Sequence, residues 1–379
     1  MKKNLSVTMV SDDFRPAMTG VGIHLEQLTK ELARRGHSVS VITSRRRGEP
    51  KKEIWENIHI YRVPTIKIYG FYQALPSTKL IRHIIKTERP DIIHHHYLGF
   101  MMKRVCSIAK SLGIPQVSTY HFGAHVLVQP LFMRPFKKIV EQQIVKYKNM
   151  CDFVIVPSKN LIEKLTLEGI KAPKRFIPNA ITFNNELSSI PPRDNHNTFS
   201  ILYTGRLATE KNIPLLIAAC KILFKSIPKA TLDIVGAGPE KNTLVQQAKE
   251  LGITERVRFH GFIKHDLLAA YYADCDLFVL PSIEEAQPIS AIEAMWFRKP
   301  IIVTSAIVSS NELVKPGING YIVNPKSPSQ LAEYLITLAT DPVLRMKMGE
   351  ASWEKAQEYR TEYTTDSIES VYQAAIARA

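Results

Sequence analysis

Three stretches near the amino terminus decide the fold: Leu5-Ser6-Val7-Thr8-Met9-Val10, residues 21–35, and Ser38-Val39-Ser40-Val41-Ile42-Thr43. The outer two are short apolar runs of strand length. Between them Val21, Leu25, Leu28 and Leu32 recur at helical spacing, and Gly36 marks the passage to the second strand. Strand, helix and strand at this density predict a parallel sheet covered by helices. The same order restarts beyond Ser200, with strand 201–203, a helix over 214–225 and strand 230–235.

A weak internal repeat accompanies the restart. Cys151-Asp152-Phe153-Val154-Ile155-Val156-Pro157-Ser158 matches Cys275-Asp276-Leu277-Phe278-Val279-Leu280-Pro281-Ser282 in residue type at nearly every position. Each reads as a buried strand ending at Pro-Ser with a helix after it, the serine serving as a cap or as a hydroxyl facing ligand. Residues 183–198 are rich in Asn, Ser, Pro and Asp and have the composition of a linker. The expected organisation is a first domain over 1–182, a linker over 183–198 and a second domain over 199–359, with a last helix over about 360–379 packing back on the first. Ligand is expected in a cleft between the domains, at the carboxyl ends of the strands.

With 379 residues and 45% hydrophobic content the chain can bury two cores. Its longest apolar runs fall well short of the roughly 20 residues that span a bilayer. The start, Met1-Lys2-Lys3-Asn4-Leu5, lacks a secretory signal, so a cytoplasmic location is expected. Cys106, Cys151, Cys220 and Cys275 have no paired spacing and suggest neither disulfides nor a zinc site. Residues 1–180 hold 30 Lys+Arg against 13 Asp+Glu, a net +17; the remainder holds 20 against 22, a net −2. So one-sided a field suits an anionic membrane surface. Nucleic acid is disfavoured because no stacking aromatic motif lies between the cations.

Three motifs can carry chemistry. Thr19-Gly20-Val21-Gly22 opens the first helix and offers backbone amides at its positive end. Arg206 and Lys211, in Gly205-Arg206-Leu207-Ala208-Thr209-Glu210-Lys211, place two cations after the first strand of the second domain, a bidentate grip and a point charge for phosphate. Glu285-Ala286-Gln287-Pro288-Ile289-Ser290-Ala291-Ile292-Glu293 sets two carboxylates around a helix start. Pro288 is expected in the first turn, Glu285 at the mouth and Glu293 in the second turn, with amides near Ile289 and Ser290 suited to a diphosphate.

Taken together these residues resemble the retaining glycosyltransferases of family 4. The resemblance runs through Arg35-Gly36-His37, Arg89-Pro90-Asp91-Ile92-Ile93-His94, Pro178-Asn179-Ala180-Ile181, Val235-Gly236-Ala237-Gly238-Pro239, Gly261-Phe262, Lys299-Pro300 and Asn324-Pro325. It departs at Thr19, Ala286, Pro288 and Arg298, where glycine is common. It implies an α/β architecture of the GT-B type, two Rossmann-like doubly wound parallel-sheet domains facing each other across a cleft. It implies that Arg206 and Lys211 neutralise the donor diphosphate, Glu293 holds the ribose, Glu285 and His121 touch the transferred sugar, and Gly20 borders phosphate and acceptor. Gly236, Ile263, Ile289 and Ser290 complete the donor site. The donor is expected to be a nucleotide-diphosphate hexose, UDP-linked, with no cofactor and no metal, since Arg206 and Lys211 can replace magnesium.

The region from Tyr120-His121 to Pro157-Ser158 is similar to the membrane-associated branch that glucosylates diacylglycerol. Cations interleave with apolar groups in Leu131-Phe132-Met133-Arg134-Pro135-Phe136-Lys137-Lys138, beside Arg45-Arg46-Arg47 and Lys51-Lys52. A lipid acceptor on the inner face of the cytoplasmic membrane is therefore expected, with a soluble or polyprenyl-linked saccharide as the alternative.

Overall fold

The computed structural model describes residues 4–16, 19–68, 71–96, 99–121, 135–182 and 198–378. It forms two compact units, Met1–Ala180 with Thr361–Ala379, and Ile181–Arg360. The predicted linker, apart from residue 198, and the segment Leu131 to Arg134 lie outside the described residues.

The first unit is built on strands β1 (Ser6–Val10), β2 (Ser38–Ser44), β3 (Lys52–Trp55), β4 (Ile58–Val63), β7 (Ile92–His95), β8 (Gln116–Thr119), β9 (Phe153–Val156) and β10 (Lys174–Phe176). They run in the order β10-β9-β8-β7-β1-β2-β4-β3, and β5 (Thr65–Ile68) and β6 (Phe71–Ala74) form a separate hairpin. All pairs in the large sheet are parallel except β3 with β4. Strand alternation assigns each face its own core. Val7, Met9, Val39 and Val41 meet Leu25, Leu28 and Leu32 of the helix Gly20–Arg34, together with Ile368 and Tyr372 of the helix Thr361–Ile376. Val10 and Ile42 point the other way, onto Ile81, Ile84, Met101 and Val105 of the helices Thr78–Glu88 and Phe100–Ser111.

The second unit is a wholly parallel sheet of β11 (Ser200–Thr204), β12 (Thr231–Val235), β13 (Val257–Gly261), β14 (Leu277–Leu280), β15 (Ile301–Thr304) and β16 (Gly320–Val323), in the order β13-β12-β11-β14-β15-β16. Strand order reverses between β11 and β14, which places a crevice at their carboxyl ends. One loop carries Arg206 and Lys211, and the other carries Glu285.

Each copy of the Cys-Asp…Pro-Ser repeat is the expected buried strand with a helix after it, but the copies take different places in their sheets. β9 stands three strands from β1, whereas β14 is the immediate neighbour of β11, so the two copies are not topological equivalents. What recurs is a clamp at strand entry. Asp152 Oδ2 accepts the Gln116 N–H at 2.7 Å while its own N–H goes to the Gln116 carbonyl. Asp276 does the same with Ser200, at 2.8 Å, and Asp91 with Ser6, at 2.8 Å. Ser158 and Ser282 are fully buried. Both hydroxyls are enclosed in the fold rather than exposed. Arg298, standing where the family often has glycine, takes a left-handed φ of 56° and lays its guanidinium over Trp353, 4.2 Å from the ring centroid. All four cysteines are buried and free. Among the described residues no helix is long and apolar enough to cross a membrane.

Tyr372 is fully buried, and its hydroxyl lies 2.7 Å from His94 Nδ1. Tyr372→Ala is expected to cost about 3–5 kcal/mol and to release the helix Thr361–Ile376; equilibrium urea unfolding and limited proteolysis measure both, and an unchanged midpoint would contradict this packing.

Candidate active site

At the carboxyl edge of the second sheet two loops interlock through their backbones. The Gly205 N–H bonds the Val235 carbonyl, the Leu207 N–H bonds the Ala237 carbonyl, and the Glu240 N–H returns to the Leu207 carbonyl. A Cβ on Gly236, whose φ is 147°, would sit 1.8 Å from the Gly205 oxygen. Only glycine permits that approach. The contact sets Arg206, whose guanidinium reaches Glu210 Oε1 at 2.5 Å, and the short turn Thr209–Lys211. Lys211 Nζ is hydrogen bonded to Glu285 Oε1, and the Ile283 N–H bonds the Glu210 carbonyl at 2.9 Å. Both cations expected to be available to phosphate are thus paired with carboxylates.

The helix after β14 runs Ile289–Trp296, and Pro288 stands one residue before it rather than in its first turn, with extended backbone and no side-chain cap. The amides of Ile289 and Ser290 therefore open the helix toward the crevice edge. Glu293, in the second turn, is buried. Its Oε1 lies 2.6 Å from His265 Nε2 and its Oε2 accepts the Tyr272 hydroxyl at 2.7 Å. Tyr272 is itself 2.7 Å from Thr204 Oγ1. Burial, and then the charge of Glu293, push its phenol well above the usual range. Ile263, in the loop after β13, packs its side chain partly against the core. Arg206, Lys211, Gly236, Glu285, Ile289, Ser290 and Glu293 thus all lie at one sheet edge of this unit.

Gly20 and His121 belong to the first unit. Gly20 is the first residue of its helix, but that helix end is occupied from within. Asp13 accepts the Thr19 N–H at 3.0 Å, the Thr19 hydroxyl and the Gly22 N–H. Arg46 lies beside the same carboxylate at 3.4 Å.

His121 follows β8 and joins a cluster of imidazoles. Its Nε2 is 3.1 Å from His96 Nδ1, and His24, His96 and His121 bring one ring nitrogen each within 4.8 Å of one another. His24 Nδ1 accepts the Ala180 N–H at 3.1 Å, so its proton sits on Nε2. Of the facing His96 Nδ1 and His121 Nε2, one donates and the other accepts. Beneath it Lys148 is buried, donates to Ser118 Oγ and the Thr119 carbonyl, and is pushed down to about 8 by burial. Burial lowers His24 and His95 to about 4 and holds His94, His96 and His121 well below the usual value.

Sequence reading missed the supports of these residues. His265, Tyr272 and Thr204 are separated from Glu293 along the chain, and no local motif announces them. The run His94-His95-His96 was the available signal for the imidazole cluster.

Residues 18–184 match the family profile "Glycosyltransferase Family 4" and residues 186–355 match "Glycosyl transferases group 1". Two relatives named alpha-monoglucosyldiacylglycerol synthase are similar along most of their length. The one from Streptococcus pneumoniae is 27% identical over 79% of this chain and 70% of its own; the one from Acholeplasma laidlawii is 25% identical over 97% and 96%. Among solved structures, Anabaena HepE in complex with UDP-glucose superposes with a TM-score of 0.77 at 18% identity, covering 97% of this chain and 99% of its own.

The lowered histidines give the first unit a pH dependence. Between about 6.5 and 4 the unfolded chain binds protons that these five rings refuse, so stability is full above about 6.5 and falls as pH drops toward 4. Asp12, raised to about 7, and Asp13, also raised by burial, act in the opposite sense but are outnumbered. Urea midpoints followed by hydrogen exchange in the first unit are expected to be lower at pH 5 than at pH 7; equal or higher values at pH 5 would show that the carboxyls dominate.

Proposed function

Because the chain belongs to the family 4 glycosyltransferases and has the GT-B fold, we propose that it transfers a hexose from a UDP-linked donor to a hydroxyl of a membrane glycerolipid, with retention at the anomeric carbon and without a bound metal. The observation that supports this most is the convergence of Arg206, Lys211 and the open start of the helix Ile289–Trp296 at the strand-order reversal of the second sheet. A departing diphosphate gains charge as the glycosidic bond breaks. Two cations and oriented amides oppose that charge without reorganising.

On this reading phosphate takes the place of Glu210 at Arg206, where bidentate geometry favours it. Lys211 bridges the diphosphate and Glu285, which puts the Glu285 carboxylate beside the transferred sugar. A carboxylate that accepts from an ammonium is a poor nucleophile, and this favours front-face attack over a covalent glycosyl intermediate. The leaving phosphate then takes the acceptor proton. Glu293 receives the ribose, Ile263 borders the base, His121 meets the sugar, and Gly20 lies on the acceptor side. The uridine assignment draws on HepE, solved with UDP-glucose, and the glycerolipid on the two synthases.

Membrane contact is assigned to the first unit, which carries the excess positive charge. Phe136 and Ile139 are exposed there beside Lys137 and Lys138, at 49% and 54%. Leu75 and Phe100 border a groove of about 400 Å³ with Arg82, Lys103 and Arg104. Cations flanking apolar groups suit an anionic leaflet. The enzyme would then work from the cytoplasmic face.

Incubation with UDP-glucose and vesicles of diacylglycerol in anionic phospholipid, in the presence of EDTA, tests the whole reading. Glucosyldiacylglycerol with the small anomeric proton coupling of an α-linkage is expected. A β-product, a requirement for added magnesium, or transfer to soluble saccharides alone would refute retention, metal independence or the lipid acceptor respectively. Lys211→Ala is expected to lower kcat about a hundred- to a thousandfold with an unchanged circular dichroism spectrum; a loss under tenfold would remove it from the leaving-group site.

A further inference from the structure

Glu293 is a buried carboxylate that no Lys or Arg among the described residues pairs with. Its two oxygens are held differently. Oε2 faces inward to Tyr272, which is 1% exposed and cannot ionise in any ordinary range. The tyrosine proton goes to Glu293, so Thr204 Oγ1 must donate to the tyrosine oxygen, and the chain Thr204 to Tyr272 to Glu293 runs one way. Oε1 faces outward to His265, whose side chain is 28% exposed and stands two residues beyond Ile263. A carboxylate only accepts, so His265 Nε2 donates.

Two of the four lone-pair directions of the carboxylate are thereby filled and its rotamer is fixed from both sides. One direction remains on each oxygen, and that of Oε1 is on the oxygen bonded by the partly exposed His265. Without His265 the outward oxygen would be anchored through Tyr272 alone.

We propose that His265 is a positioning residue for the donor: it locks the outward oxygen of Glu293 so that its free lone pair meets a ribose hydroxyl. The inference rests on the assignment of Glu293 to the ribose. The contrary role, in which His265 covers Glu293 and competes with the donor, predicts the opposite sign, because a competitor removed would tighten binding.

The test compares UDP with 2′,3′-dideoxy-UDP by titration calorimetry. His265→Ala is expected to weaken UDP about five- to tenfold and dideoxy-UDP less than twofold, to raise donor KM in parallel while kcat stays within twofold, and to leave Tm unchanged. His265→Gln, whose amide reaches as far as Nε2, restores UDP binding to within twofold. Unchanged or tighter UDP binding by His265→Ala, equal loss for both nucleotides, or no rescue by glutamine overturns the proposal. Glu293→Ala, with Glu293→Gln read in its place should the alanine variant not fold, isolates the underlying assignment. If that variant still prefers UDP over dideoxy-UDP by the wild-type ratio, the ribose is not at Glu293. If the preference vanishes there but persists in His265→Ala, the ribose assignment stands and the role of His265 fails.

Discussion

Register is the constraint on which everything else depends. In a parallel sheet a slip of one residue turns each strand over and delivers the wrong side chain to its carboxyl end. Three aspartates, Asp91, Asp152 and Asp276, hold the entry of a strand to the first residue of its neighbour by an exchanged pair of bonds. In each pair the bond accepted by the carboxylate is charge-assisted, and both bonds sit at the amino edge of the sheet. With the start of β14 pinned to the start of β11, the loops leaving the far ends of those strands emerge side by side, and they carry Glu285 and Lys211 into contact.

The crevice edge then tightens by backbone alone. Gly205 and Gly236 approach so closely that no side chain fits between them, and the loops behind share further main-chain bonds. On the proposed reading this rigidity serves the donor phosphates, because the cations need not be gathered when charge develops. Glu293 shows the same economy. Its inner oxygen is held by a buried hydroxyl chain, and its outer oxygen is held by a ring that reaches the surface.

Much of this was legible in the chain. Both strand, helix, strand openings fall within a residue or two of their expected limits, since Leu25, Leu28 and Leu32 can be buried together only on a helix and Val39 and Val41 share a face only in a strand. The shared sheet edge of Arg206, Lys211 and Glu285 was legible because each follows a strand at short range, and Glu293 because the helix after β14 was. What stayed hidden depends on distant contacts. The serines of the Pro-Ser repeat are small enough to bury, and the sequence does not say whether a hydroxyl ends inside or outside. His265 has meaning only through Glu293, and Asp13 only through the folding back of its loop on Thr19 and Gly22. The left-handed backbone of Arg298 shows that a position favouring glycine tolerates a long side chain when an aromatic face, here that of Trp353, lies within its reach.

Asp13 also bears on how twin architectures avoid confusion. Two units of one design would each offer a helix terminus to any anion, and a nucleotide seated in the wrong one would be a dead end. In the first unit that terminus is self-liganded: a carboxylate from its own chain already neutralises the amides, and Arg46 balances the carboxylate. In the second unit Pro288 gives the helix Ile289–Trp296 no side-chain cap. The two helix ends therefore differ in charge: one is neutralised by its own chain, and the other carries no carboxylate cap of its own.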